Sequence, residues 1–291
     1  APDRILAVTF TNKAAGEMRK RLEELAPGKG ALVWAFTFHS FCAKLVRMHH
    51  KELGLPRHFT IYDQSDQKKL VSESMKELGL EDQKSKAGLF VSIISRAKDD
   101  LLDAGSYEIH AMSSIDQSRQ TAAKIYKLYE NKLNKAGALD FGDLLLKTCQ
   151  LLRDHPKVRE HWQEHFTHLL VDEYQDTNHA QYILTKTLAA KHKNVCVVGD
   201  DDQSIYSWRG ANIRNILEFE KDFPNSMVVT LEQNYRSTAR ILDAAALVIH
   251  HNKTRKSKKI WTKAPPGDEV RVQELPNEYE EATWVVRRIQ D

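Results

Sequence analysis

Residues 169–178, LLVDEYQDTN, decide how the rest of this 291-residue chain is read. The apolar run Leu169, Leu170, Val171 ends abruptly at two adjacent carboxylates, Asp172 and Glu173. A short apolar run bounded by polar residues predicts a strand buried on both faces of a parallel sheet. In open α/β sheets the carboxyl ends of the strands open onto the ligand crevice. Two acids placed there can divide the work. Asp172 can hold a hard, oxygen-seeking Mg²⁺, and Glu173 can take a proton from attacking water. Alone, the pair also reads as an acidic loop after a core strand, so its neighbours decide.

Those neighbours repeat one rhythm. Residues 4–10 (RILAVTF) read as a buried strand followed by the helix starter Thr11-Asn12, with Ala15, Met18, Leu22 and Leu25 at helical spacing. Residues 32–38 predict a second strand, running into His39-Ser40 and an amphipathic helix carrying Phe41, Leu45 and Met48. From 63 to 134 the strand patterns stop and the segment is polar and helical in period, broken at Gly79, Gly88 and Gly105, which predicts a helical insertion. A helix then starts at Asp140-Phe141, followed by the 169 strand, a helix over 180–191 and a strand over 195–198. Residues 199–203 (GDDDQ) form a loop. Strands are expected at 228–231 and 270–275, and helices at 238–251 and 279–289. Alternating strand and helix predicts an α/β fold built on a parallel sheet.

Composition narrows the class. At 41% hydrophobic the chain can bury two cores, and a formal net charge of +3 permits a nucleic-acid partner without demanding one. Cys42, Cys149 and Cys196 lie far apart and fit no metal or disulfide spacing, which suits a reducing, cytoplasmic setting. No signal peptide or long apolar span is present, so a membrane role is not expected. The chain opens two residues before strand-like sequence and closes inside a helical pattern, and so reads as a piece of a longer protein.

Phosphoryl transfer asks a protein for a metal, a positioned water and positive charge on the departing phosphate. Beside Asp172 and Glu173, Gln203 has an amide suited to bridging the water and a phosphate oxygen. Arg236, in the run Gln233-Asn234-Tyr235-Arg236-Ser237, carries a guanidinium fork that matches phosphate, and Tyr235 can stack on a nucleobase. No G-x-x-x-x-G-K-[ST] phosphate loop occurs, and the Gly28-Lys29-Gly30 turn lacks its spacing.

Taken together, AVTFTNKAAGEM (7–18), TFHSF (37–41), LDFGDLL (139–145), LLVDEYQDTN, VVGDDDQSIYSWRGA (197–211) and LEQNYRST (231–238) resemble a superfamily-one DNA helicase of the UvrD/PcrA/Rep type, in that family's order. The resemblance implies two RecA-like domains with ATP between them and single-stranded DNA across both. Here it spans the first domain in two parts (1–62 and 139–230), a helical insertion (63–138) and the beginning of the second domain (231–291). It implies Asp172 as the Mg²⁺ ligand, Glu173 as the catalytic base, Gln203 as the γ-phosphate sensor, Arg236 as an arginine finger and Tyr235 as the adenine stacker. It also implies that Phe10, Phe141, Tyr206 and Trp208 face DNA bases, that Thr37 and His39 approach the DNA backbone, and that Arg209 couples the two sites. The implied activity is ATP-dependent 3′–5′ helicase and single-strand translocase in DNA repair or replication. The implied partners are single-stranded and partly duplex DNA, ATP, and repair or replication proteins. The family's phosphate loop and later motifs are missing from these residues, and Gly142 stands where an acid is more usual. A piece lacking them is expected to be inactive alone. Two other readings stay open: a non-hydrolysing single-strand-binding module, and the motor of a helicase–nuclease complex.

Simpler readings sit beside these. Phe10 and Phe141 alone read as core residues, since most Phe is buried, and Arg236 alone reads as a surface ion pair. His161, His165 and His168 have near-helical spacing without a completing acid or cysteine, which argues against zinc. The basic run Lys253, Arg255, Lys256, Lys258 and Lys259 reads either as a contact to DNA phosphate or as a solvated connection.

Overall fold

The carboxyl ends of four parallel strands carry most of the residues singled out above. In the computed structural model, which describes residues 1–253, 255–256 and 258–290, these strands are β1 (Ile5–Thr9), β2 (Trp34–Thr37), β5 (His168–Val171) and β6 (Val195–Val197). They pair in the order β2-β1-β5-β6, all parallel. The register aligns Leu6 with Trp34 and Leu169, and Val8 with Phe36 and Val171. One sheet face is therefore apolar across all four strands, and it packs on Phe41, Leu45, Leu144, Leu145, Trp162 and Leu184. These come from α2 (Phe38–Met48), α7 (Phe141–Asp154), α8 (Pro156–His165) and α9 (His179–Ala189).

The second face is covered unevenly. Helix α1 (Asn12–Leu25) lies over β1 and β2, with Arg19 Nη1 donating to the Ala35 carbonyl at 2.8 Å. Ala7 and Ala35 are buried there, whereas Leu170 is 41% exposed and Cys196 is exposed. The expectation that the 169 strand is buried on both faces is corrected: among the described residues its second face is open, because α1 reaches only the β1–β2 side.

Local chemistry explains where the helices begin. The Thr11 and Thr37 side chains cap α1 and α2 by accepting from Ala14 N and Ser40 N. Asp140 and Asn178 head full capping boxes at α7 and α9, with Asp143 and Gln181 returning the bond.

The helical insertion comprises α3 (Gln64–Glu77), α4 (Ala87–Asp99), α5 (Ala104–Met112) and α6 (Gln117–Ala136), around its own core of Val71, Met75, Phe90, Ile94, Ile125, Tyr126, Tyr129 and Leu133. Its entry and exit are pinned by two strands absent from the sequence reading, β3 (Thr60–Tyr62) and β4 (Ala138–Asp140), which pair in parallel. Gly137 closes α6 in the left-handed region at φ 60°.

The chain divides into two compact units, 1–225 and 226–291. The first ends through the short helices α10 (Arg214–Leu217) and α11 (Phe219–Asp222). The second contains β7 (Gln233–Asn234) paired in parallel with β8 (Trp261–Thr262), and helices α12 (Ala239–Ile249) and α13 (Glu278–Gln290). The strands expected at 228–231 and 270–275 are not formed. Neither stretch has a ladder partner, and Leu231 and Val272 are exposed, so β-branched composition alone did not make a strand.

Candidate nucleotide and single-strand site

The acidic turn after β5 is built by the sheet. Asp172 N donates to the Val8 carbonyl at 2.9 Å, which continues the ladder one residue past the strand. The chain then bends sharply at Glu173, whose φ of 52° lies in the left-handed region. A non-glycine residue held there is strained, and such strain clusters at functional turns. The bend leaves Glu173 exposed while Tyr174, Gln175 and Asp176 are buried behind it. Asp172 accepts from its own neighbour's amide, Glu173 N, at 3.0 Å and from Thr9 Oγ1 at 3.4 Å. The Asp172 carboxylate beside the Thr9 hydroxyl is an all-oxygen corner of the kind that fits a hard divalent cation.

Gln175 is the residue the sequence reading passed over. It is 1% exposed. Its Nε2 donates to Glu173 Oε2 at 2.8 Å, and its Oε1 accepts from Asp200 N at 3.0 Å. One buried amide thus ties the acid after β5 to the loop after β6. That loop is held again by Tyr174 N donating to the Val198 carbonyl and by Gln203 Nε2 donating to Asp200 Oδ2 at 2.8 Å. Gly199 is required at the crossing: a Cβ there would lie 2.5 Å from Gln175 Oε1 and 2.8 Å from Ile216 Cδ1. The only sequence signal was the Gln two residues after Glu173. Asp176 sits beside this turn with its carboxyl pushed above the usual range, first by burial and then by the Glu173 charge.

The same loop carries an aromatic surface. Phe10, at the end of β1, stacks on Tyr206 with ring centroids 6.1 Å apart and 12° between planes. Tyr206 leans on Trp208 at 6.4 Å, and the Arg209 guanidinium lies 4.7 Å from the Trp208 ring and 5.2 Å from Tyr206. Phe10 and Tyr206 are half-buried and Trp208 is 70% exposed, a ring of that size open to solvent. Phe141, first residue of α7, is 48% exposed and meets His39 edge-on at 5.9 Å. Burial lowers the His39 pKa, so its ring is neutral near pH 7 and offers a hydrogen bond rather than a charge. Thr37 is buried, with its hydroxyl engaged as the α2 cap and donating to Ser40 Oγ at 2.9 Å.

In the second unit, Asn234 Oδ1 accepts from both Arg236 N (2.9 Å) and Ser237 N (2.8 Å). This Asx turn at the end of β7 lifts Tyr235, 86% exposed, and Arg236 onto its tip. The structure therefore gathers Asp172, Glu173 and Gln203 at one set of strand ends and Phe10, Tyr206, Trp208 and Arg209 along the adjoining loop. Tyr235 and Arg236 form their own pair in the other unit.

Among the described residues the one cluster of three potential metal-ligating side chains is Asp200, Asp201 and Asp202, so His161, His165 and His168 do not form such a group. His161 and His165 instead stack on each other, and His165 packs against Trp34 and Phe166.

Comparison with known proteins identifies the family of the chain. Residues 1–224 match the model of the UvrD/REP helicase N-terminal domain, and residues 229–291 match the UvrD-like helicase C-terminal domain. The chain belongs to the UvrD/REP helicase family. Within that family it is 44% identical over 289 residues to proteins named ATP-dependent DNA helicase PcrA from Staphylococcus aureus (strains Mu50 and NCTC 8325) and Staphylococcus epidermidis (strain RP62A). These matches cover 99% of the chain and 39% of each relative's length. The mixed α/β class with a central parallel RecA-like sheet and the family resemblance are thus as expected. No helix among the described residues is long and apolar enough to cross a membrane.

Proposed function

We propose that this chain supplies the acidic turn, the sensor loop, the aromatic strand-binding surface and the arginine turn of an ATP-dependent DNA helicase that translocates 3′ to 5′ on single-stranded DNA. It would serve DNA repair or replication in the cytoplasm together with other proteins of those processes. The observation that carries this reading is the Gln175 amide, which joins Glu173 to the loop holding Gln203, Tyr206 and Trp208. A motor needs a short rigid link between hydrolysis and the strand it moves, and here the link is one side chain long.

In this mechanism Glu173 orients the attacking water and takes its proton, while Gln175 fixes the carboxylate's direction. Gln203 bridges that water and a γ-phosphate oxygen. Asp172 would hold Mg²⁺, which would supply neutralisation of the negative charge on the phosphate. Arg236 offers its fork to the transferring phosphoryl group, and Tyr235 stacks on adenine. On the other side of the loop, Tyr206, Trp208, Phe10 and Phe141 stack on successive bases, each stack worth roughly 1–3 kcal/mol. Thr37 and neutral His39 contact the sugar-phosphate backbone, and Arg209 braces Trp208 so that movement of the platform reaches the sensor loop.

The test is single-strand binding and DNA-stimulated ATPase of the full-length protein with Trp208→Ala. Losing one stack of roughly 1–3 kcal/mol predicts roughly 5- to 150-fold weaker single-strand binding, with stimulation by DNA largely lost. Unchanged binding and stimulation refute the platform role. Strand binding with no ATPase in the unaltered protein would favour a non-hydrolysing binding module.

A further inference from the structure

The last turn of α4 belongs to the helical insertion, yet it touches three parts of the proposed machinery. Lys98 is fully buried, and its Nζ lies 2.7 Å from Glu130 Oε1, 2.8 Å from Asp140 Oδ2 and 2.7 Å from Asp143 Oδ1. Tyr129 OH adds a 2.6 Å hydrogen bond to Asp140 Oδ2. Asp140 and Asp143 are the capping box of α7, each using one oxygen for the cap and the other for Lys98. The first residue of α7 is Phe141, so Lys98 fixes the direction from which that ring is presented. Gly142 makes room for it, since a Cβ there would lie 3.0 Å from Lys98 Cδ.

The adjacent residue points to the other side. Asp99 Oδ1 accepts from Asn178 Nδ2 at 2.7 Å, and Asn178 caps α9 at the end of the acidic turn. Asp99 Oδ2 also lies 3.3 Å from where a Cβ would stand on Gly210, directly after Trp208 and Arg209. Gly210 has φ 87°, a backbone open to glycine, and the chain beyond it returns to the acidic turn through Asn212 N donating to the Thr177 carbonyl at 3.0 Å.

We propose that Lys98 and Asp99 form a two-armed positioning element through which the helical insertion holds Phe141, the Trp208 loop and the turn after Glu173 in one register, so that strand binding is transmitted to ATP hydrolysis. Neither side chain touches nucleotide or DNA in this role. Both act through Asp140, Asp143 and Asn178. The inference rests on the DNA-stimulated ATPase reading above and adds its coupling device.

The test uses the full-length protein, oligo-dT as the strand, and three forms: wild type, Asp99→Ala and Asp99→Asn. Site-to-site coupling is typically worth 5- to 150-fold, so Asp99→Ala should lower the DNA-stimulated kcat by about five-fold or more. ATPase without DNA and the KM for ATP should each stay within about two-fold, since no group that touches ATP is altered. Asp99→Asn keeps an oxygen for Asn178 and should restore stimulation. Wild-type stimulation in Asp99→Ala overturns the proposal, as does a parallel fall of stimulated and unstimulated rates, which marks general structural damage. Absence of DNA stimulation in the wild type would instead overturn the proposed function itself, and the two failures are thereby told apart.

Discussion

Replacing Lys98 by Met removes one charge and keeps nearly the same volume, so it isolates the electrostatic role of a side chain with no exposed surface. In the wild type one ammonium faces three carboxylates at 2.7–2.8 Å. These carboxylates already outnumber the cation, and Asp143 shows the strain: its carboxyl is pushed up to about 7, first by burial, with Asp140 and Glu130 adding to the rise against the pull of Lys98. Asp140 is held below the usual range, its own burial outweighed by Lys98 and by hydrogen bonds from Lys98 and Tyr129. Breaking a buried ion pair from one side typically costs about 3–5 kcal/mol, because the remaining charge has lost its compensation. Against a domain stability of about 5–15 kcal/mol, that is a large fraction. Lys98→Met should therefore lower the free energy of unfolding by about 3–5 kcal/mol at pH 8, read from urea denaturation followed by far-ultraviolet circular dichroism. The deficit should shrink toward pH 5, where the stranded carboxyls can take up protons. A loss below about 1 kcal/mol at pH 8, or a deficit that grows on acidification, would refute the reasoning.

Two further outcomes follow from the same packing. Gly199→Ala forces a Cβ against Gln175 Oε1 and Ile216 Cδ1 and should cost about 1–3 kcal/mol by overpacking, with a lowered melting temperature; an unchanged melting temperature contradicts the close approach. Asp99 is raised to about 7, first by burial and then by Asp100 and Asp140, with Arg96 opposing, and Asp143 is raised to about 7 as well. A carboxyl whose folded pKa exceeds its unfolded value binds more protons when folded, so its contribution is fully present below the unfolded pKa of 3.8 and is lost as pH rises through about 7. Removing the Asp99 carboxyl removes its share of this loss, so between pH 4 and pH 7.5 the stability of Asp99→Asn relative to wild type should rise with pH; a difference in urea midpoint that is constant or falls over this window refutes it.

What the sequence made legible was local. Apolar runs marked β1, β2, β5 and β6, and Thr11 and Asp140 marked helix starts, because strand burial and capping act within a few residues; the Thr37 cap of α2 was hidden inside the strand read over 32–38. The positions of Asp172, Glu173 and Gln203 at strand ends were legible because each follows an apolar run within a few residues, whereas the roles proposed for them come from the family resemblance. The rest depends on partners far along the chain. Lys98 meets Asp140 across 42 positions, and nothing near a lysine in a polar helix announces that it is buried. The β3–β4 pair joins three-residue strands on either side of the whole insertion, too short to stand out by periodicity. Gln175 looked like one more polar residue in an acidic turn, and its role emerged only when Asp200 was found on its other side. The expected strands at 228–231 and 270–275 failed for the converse reason: strand-like composition without a neighbour to pair with.

The central claim is that Glu173 activates water for a hydrolysis that single-stranded DNA accelerates. Glu173→Gln keeps the shape and can still meet Gln175, but it cannot take a proton. Measured on the full-length protein with saturating oligo-dT, general-base loss predicts a fall in kcat of about 10²- to 10⁴-fold with single-strand affinity unchanged. Wild-type DNA-stimulated ATPase in Glu173→Gln would contradict the account.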